Sequence, residues 1–384
     1  MMEPMDDGAT PSAKRRSSGQ ASSAGDPPQA QSSRLRSHLR AAYGIRVSSM
    51  TELDDGVWLV ARSDGPDWVA RWFPASRPVE AVAGDAEILG FLAEHDFPAE
   101  QCADASPVTV LDGRGVLVTE YEPPVPRGQR RAAIRAAGGL ARLGAVLGRL
   151  QTIPAGPGAL ARPGGAWHHL ADGRPSAEVA AAQQLLADAA PRFAPDSAGR
   201  PSAFAADPPE FAVSPGSGVP PEFAVPPDFA DLVAERAAYQ ALCERVAALD
   251  AGDGLPEALL HPDFVLANVV ATPDGMILVD WSGAGRGPRA WSLAFFLYAE
   301  GIKDPRRVDV VLAGYRRHVT LTPEELDRLP ALIQTRPLIL AAWSVCVGRT
   351  PPSAAITAAT DLTPQAHSIA TRTRAALSRP APTR

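Results

Sequence analysis

Lysine and asparagine are almost missing from this chain of 384 residues: the lysines are Lys14 and Lys303, and Asn268 is the sole asparagine. A chemistry that needs either side chain must use those positions or find a substitute. Cys102, Cys243 and Cys346 lie far apart and lack metal-ligand spacing, which argues against a disulfide framework or a cysteine zinc site. The N-terminus has no apolar signal-peptide core, and the apolar stretch Pro337 to Val347 is too short to cross a bilayer. A cytoplasmic protein with no membrane partner is therefore expected. The formal charge of -6 and pI near 5.7 give no general attraction for a nucleic-acid polymer, so small molecules are the expected partners.

What is abundant is Ala, Arg, Gly and Pro. Residues 1–33 are rich in Ser, Pro, Gly and Ala and read as a disordered tail. A low-complexity stretch, 191–230, repeats Pro209-Glu210-Phe211-Ala212-Val213 as Pro221-Glu222-Phe223-Ala224-Val225 and reads as a surface insertion. In between, Ile45–Leu53, Val57–Arg62 and Trp68–Phe73 read as three strands separated by turn signals. A helical pattern runs from Pro78 to Glu94, and strands Val108–Leu111 and Val116–Tyr121 follow. That pattern predicts an antiparallel sheet with one packed helix, 34–122. After Pro123 the chain becomes mostly helical, starting with Arg130–Leu150, so a second and larger lobe is expected over 123–350. Residues 351–384 are expected to be a helical or flexible tail.

The chemistry is concentrated in one stretch. Leu259-Leu260-His261-Pro262-Asp263 leads through Phe264-Val265-Leu266-Ala267 to Asn268, turns at Pro273-Asp274-Gly275, and returns as Ile277-Leu278-Val279-Asp280-Trp281. Both carboxylates and the amide therefore sit on a hairpin. Asp280 closes an apolar run, where a carboxylate is costly to bury unless a cation meets it. Phosphoryl transfer needs such a set, a carboxylate beside the attacking hydroxyl and hard oxygen ligands for magnesium on the nucleotide phosphates. Asp-x-x-x-x-Asn followed by a strand-end Asp is also the kinase order of catalytic loop and metal loop.

These residues, with Val279-Asp280-Trp281 and Gly285-Arg286-Gly287-Pro288-Arg289-Ala290-Trp291, resemble the core signature of the aminoglycoside phosphotransferase family. The resemblance extends more weakly over most of residues 34–350. It implies an α+β, bilobed, protein-kinase-like fold and an ATP-dependent kinase that uses Mg2+ and acts on a hydroxyl of a small molecule of aminoglycoside, amino alcohol or sugar type. By resemblance Asp263 is the catalytic base or hydroxyl-orienting group, Asn268 and Asp280 are the metal ligands, and His261 is a mainly structural member of the catalytic loop. A kinase-like protein that binds nucleotide or a partner without transfer is the alternative.

A nucleotide clamp also needs a cation on the third strand and an acid on the following helix. Arg71 stands where the family's lysine would be, and an arginine can bridge phosphate and carboxylate. Helical periodicity puts Asp85 on the stripe of Leu89 and Leu92 and points Glu87 away, so Asp85 is expected to pair with Arg71, with Glu87 as the fallback. Gly56 is either the tip of a reduced phosphate-covering loop or a plain hairpin turn. Glu120, Tyr121 and Glu122 occupy the expected hinge, where backbone groups would bind adenine.

The chain departs from the family's pattern at two places. Ser292 stands where an acid usually fixes the catalytic loop, and Gln151 where a packing histidine is common. The acids Glu300, Asp304, Asp309, Glu324, Glu325 and Asp327 are read as solvated faces rather than a polycation site. Trp291, Tyr315 and Trp343 are read as core, and His168-His169 as an adjacent pair in a loop.

Overall fold

In the computed structural model the described residues are 28–154, 158–166, 173–194 and 229–378. The chain opens on helix α1 (Pro28–Tyr43), then strands β1 (Val47–Asp54), β2 (Val57–Arg62) and β3 (Trp68–Trp72), helix α2 (Val79–Glu94), and strands β4 (Val108–Leu111) and β5 (Arg114–Glu120). They form one antiparallel sheet in the order β1-β2-β3-β5-β4. The β1–β2 turn depends on Gly56, whose φ is 67° and where a Cβ would press on the Trp72 carbonyl at 2.7 Å.

The opening helix corrects the expected tail, because residues 28–33 belong to α1. Leu35 and Leu39, one helical turn apart, are fully buried against Val60, Ala70 and Trp72 of the sheet, and this anchor extends the helix back into the Ser- and Gln-rich segment. Residues 1–27 lie outside the described residues.

The second lobe holds α3 (Arg130–Ala136), α4 (Gly139–Leu150), α5 (Pro175–Ala189), α6 (Phe229–Ala247), α7 (Ala290–Gly301), α8 (Arg306–Tyr315), α9 (Pro323–Cys346) and α10 (Pro352–Ser378). The single helix expected over Arg130–Leu150 is divided, because Gly138 and Gly139 both take positive φ, 96° and 58°. Two short ribbons flank the candidate site residues: β6 (Glu257–Leu260) with β9 (Gly285–Pro288), and β7 (Val269–Thr272) with β8 (Gly275–Leu278). α10 is no loose tail, since Leu362, Ala366, Ile369 and Ala370 are buried in the core. α9 is long and apolar enough to span a membrane by length and composition, beyond the Pro337–Val347 stretch expected. Just over half of its apolar window is buried inside the fold, and the helix carries buried Glu325 and Arg336. Most of the 191–230 insertion lies outside the described residues.

The lobes are joined through backbone. Leu278 N–H donates to Pro98 O at 2.8 Å and Glu100 N–H donates to Leu278 O at 3.0 Å, so the segment after α2 adds to the edge of β8. This seam places Glu100 beside Asp280, whose backbone N–H it accepts.

Candidate active site

β6 delivers its last residue directly into the catalytic loop, and His261 locks that loop to the returning strand. Its Nε2–H donates to Val279 O at 3.1 Å, and its Nδ1 accepts the Asp263 backbone N–H at 3.2 Å. Only the neutral ring can do both. Burial pushes its pKa down to about 4, against the opposing pull of the Val279 carbonyl. Its ring also meets Trp281 edge-on, at 4.7 Å between centroids. His261 is thus a structural member of the loop in its geometry. Ser292, buried on α7, donates from Oγ to His261 O at 2.9 Å, so a hydroxyl fixes the loop where the family uses an acid.

Asn268 and Asp280 meet at the open end of the β7–β8 ribbon. Asn268 O accepts from Val279 N–H at 2.9 Å, which puts Asp280 one residue beyond the pair. Asn268 Nδ2 donates to Asp263 O at 2.9 Å, so its Oδ1 is the amide atom left for a metal. Asp280 is exposed and takes a left-handed backbone, φ 70°. The expected burial cost at Asp280 therefore does not arise, because the turn lifts the carboxylate off the apolar strand. An amide oxygen and an exposed carboxylate fit a hard divalent cation whose remaining ligands are phosphate and water.

Asp263 shows a split environment. Its side chain is 38% exposed, yet Oδ1 is buried and has no hydrogen-bond partner among the described residues. Burial raises the pKa of this carboxyl, Arg336 opposes the rise, and Asp280 adds to it. Arg130 of α3 supports the loop from below by donating to Leu266 O and to Val269 O.

The clamp differs from the sequence expectation. Arg71 Nη1 lies 2.8 Å from Glu100 Oε1, not on Asp85. Glu100 is 4% exposed, and the same Oε1 accepts the Asp280 backbone N–H at 2.9 Å. Burial alone would lower the Arg71 pKa, but Glu100 and Asp280 outweigh it and hold the guanidinium firmly charged. Asp85 does face inward, as its helical position requires, but two other arginines claim it. Arg77 lies 2.5 Å from Oδ2, and Arg162 pairs with Oδ1. Asp85 also accepts from Gly283 N–H at 3.2 Å, three residues beyond Asp280. The physical reason is local. Arg77, just before α2, and Arg162, entering from the second lobe, both reach the buried carboxylate, while β3 points Arg71 toward the segment after the helix. Glu100 was missed because it lies outside any periodic element and is placed only by the seam with β8.

Gly56 packs against β3 as a hairpin glycine, with Trp72 N–H donating to Gly56 O at 2.8 Å. At the hinge, Glu120 N–H donates to Gln101 O at 2.8 Å and Tyr121 N–H to Asp67 O at 2.9 Å, so those two donors are already engaged. Gln151 supplies what a packing histidine would, donating to Arg289 O at 2.7 Å and accepting from Tyr315 O–H at 2.6 Å. Two acids read as solvated are instead buried and paired, Glu300 with Lys303 and Arg307 and Glu325 with Arg289, whereas Asp327 is exposed as expected and pairs with Arg374, and Asp309, partly buried, pairs with Arg372. Trp291 and Tyr315 are core, whereas Trp343 is half-buried beneath Arg349. His168 and His169 lie outside the described residues.

A five-stranded antiparallel lobe seamed to a helical lobe, with an Asp-x-x-x-x-Asn loop and an Asp-ended hairpin at the junction, defines a kinase-like phosphotransferase. Residues 52–329 match the sequence profile of the phosphotransferase enzyme family (APH), and the chain belongs to that family. No curated protein is significantly similar in sequence. Among solved structures, the fold is similar to amicoumacin kinase hAmiN in complex with AMP-PNP, Ca2+ and Ami. The TM-score is 0.53 and the identity 14%, covering 90% of this chain and 97% of that one. Choline kinase LicA from Streptococcus pneumoniae matches with a TM-score of 0.48 and 13% identity, over 87% of this chain and 98% of that one. Aminoglycoside phosphotransferase APH(3'')-Id from Streptomyces rimosus in complex with ADP and streptomycin matches with a TM-score of 0.46 and 17% identity, over 79% and 97%.

Proposed function

We propose that the protein transfers the γ-phosphoryl group of ATP to a hydroxyl of a small molecule, with Asp263 as the group that receives the hydroxyl's proton. The observation that carries this reading is the meeting of Asp263, Asn268 and Asp280 at one end of a hairpin, with the buried Asp263 Oδ1 lacking a hydrogen-bond partner among the described residues. The acceptor hydroxyl donates a hydrogen bond to the Asp263 carboxylate and gives up its proton as its oxygen bonds to the γ-phosphorus. The bond from that phosphorus to the bridging oxygen breaks, and the electron pair leaves with ADP. A carboxyl raised by burial is a better proton acceptor than an exposed one. Asn268 Oδ1 and the Asp280 carboxylate would hold magnesium, which neutralises phosphate charge when bound.

Arg71 is assigned to the nucleotide phosphates, held in place by Glu100. Tyr121 and Glu122 are assigned to adenine through hinge carbonyls and the Glu122 amide, since the Glu120 and Tyr121 N–H groups already have partners. In this reading Asp85 fastens α2 to the metal loop and contacts no phosphate. Gly56 shapes the hairpin that would lie above the nucleotide.

The test is transfer of label from γ-labelled ATP, with magnesium present, to a panel of streptomycin, choline, aminopropanol, amicoumacin and a macrolide. Transfer to a panel member above the rate of hydrolysis, lost in Asp263→Ala, supports the reading. Transfer that persists in Asp263→Ala overturns it.

A further inference from the structure

α9 brings a guanidinium to the one group in the catalytic loop whose direction matters most. Arg336 Nη2 lies 3.7 Å from Asp263 Oδ1, and Nη1 lies 3.2 Å from Glu178 Oε2 on α5. The Arg336 side chain is 9% exposed and Glu178 is fully buried. Glu178 is itself fixed, since it accepts the Ala166 backbone N–H. The Asp263 backbone is held on both sides, its N–H by His261 and its carbonyl by Asn268. Its carboxylate has one charged neighbour at ion-pair distance among the described residues, and that is Arg336. The loop itself offers no substitute, because Phe264, Val265, Leu266 and Ala267 carry no polar side chain. At 3.7 Å the contact is longer than a direct hydrogen bond, so it acts through charge on the buried Oδ1 and leaves the exposed side of the carboxylate to meet a hydroxyl.

We propose that Arg336 is a positioning residue that aims the Asp263 carboxylate at the acceptor hydroxyl, with Glu178 bracing the guanidinium from α5. This rests on the reading of Asp263 as the proton acceptor. A buried Arg–Glu pair alone adds little stability over apolar packing. The open edge of the guanidinium toward Asp263 gives the pair a use.

The experiment measures kcat and the KM for ATP in Arg336→Met, Arg336→Lys, Asp263→Asn and the Asp263→Asn/Arg336→Met double variant. The reaction followed is magnesium-dependent release of phosphate from ATP with water as acceptor. Arg336→Met should lower kcat by about 10- to 100-fold with the KM for ATP changed by less than about threefold, and Arg336→Lys should recover part of the loss. In the Asp263→Asn background Arg336→Met should cost nothing further. Wild-type kcat in Arg336→Met, or an equal loss in both backgrounds, overturns the proposal while leaving the Asp263 reading intact. Wild-type kcat in Asp263→Asn overturns that reading first. Crystal structures of wild type and Arg336→Met give an outcome independent of turnover: the Asp263 carboxylate should rotate or split between conformers, and an unmoved carboxylate contradicts the proposal. If Arg336→Met does not fold, Arg336→Met/Glu178→Gln removes the stranded buried carboxylate and is measured in its place.

Discussion

Arg71 on β3 and Glu100 beyond α2 form a 2.8 Å ion pair, and the acid half of that pair also holds the backbone of Asp280. One carboxylate thereby ties Arg71 to the backbone that follows β8, so damage to Glu100 should be felt on both sides. Glu100→Gln is expected to raise the KM for ATP by about 10- to 100-fold, the range of a charge-assisted hydrogen bond. Steady-state kinetics with varied ATP and magnesium measures it, and an unchanged KM contradicts the assignment.

Asp85 should behave differently, because its partners Arg77 and Arg162 make it a junction between the lobes rather than a phosphate contact. Asp85→Ala removes the buried carboxylate that meets Arg77 and Arg162 and is expected to destabilise the fold by about 3–5 kcal/mol. Glu87→Ala, on the exposed face of the same helix, should stay within about 0.5 kcal/mol. Urea denaturation of the two variants compares them, and equal midpoints would contradict the buried junction.

Asp280 takes φ 70°, where a Cβ is costly and a glycine is not. Without metal, Asp280→Gly should therefore be more stable than Asp280→Ala by about 1 kcal/mol. Both should lose magnesium-dependent nucleotide binding. Thermal unfolding and titration of ATP with and without magnesium read these two effects separately.

His261 sets a pH dependence of stability. Its folded pKa of about 4 lies below the ordinary histidine value of 6.5, so the unfolded chain binds the extra proton between those pH values. The stabilising contribution is complete above pH about 6.5 and is lost as pH falls toward about 4. Wild type should lose stability over that window, and His261→Asn, which cannot titrate there, should show a shallower slope in urea midpoints against pH. Parallel slopes would contradict a buried neutral ring.

The hairpin with Asp263, Asn268 and Asp280 was legible in the sequence because these residues lie close along the chain and its turn, Pro273-Asp274-Gly275, is explicit. The strands of the first lobe were legible to within a few residues for the same local reason. What escaped was non-local. Glu100 gains its role only when the segment after α2 pairs with β8, and Arg336 reaches Asp263 from 73 residues downstream on another helix. The start of α1 escaped because its anchors, Leu35 and Leu39, lie just beyond the polar residues 28–33 that composition alone assigns to a tail. Asp85 shows the limit of periodicity, which gave its face correctly but could not say which of several arginines would meet it.

The central claim, that Asp263 serves transfer and not nucleotide binding, is tested most directly by measuring ATP affinity and phosphoryl transfer on the same preparation of Asp263→Ala. The account predicts an ATP dissociation constant within about threefold of wild type and transfer reduced by at least about 100-fold. Unchanged transfer, or a loss of nucleotide affinity that accounts for the lost transfer, would contradict it.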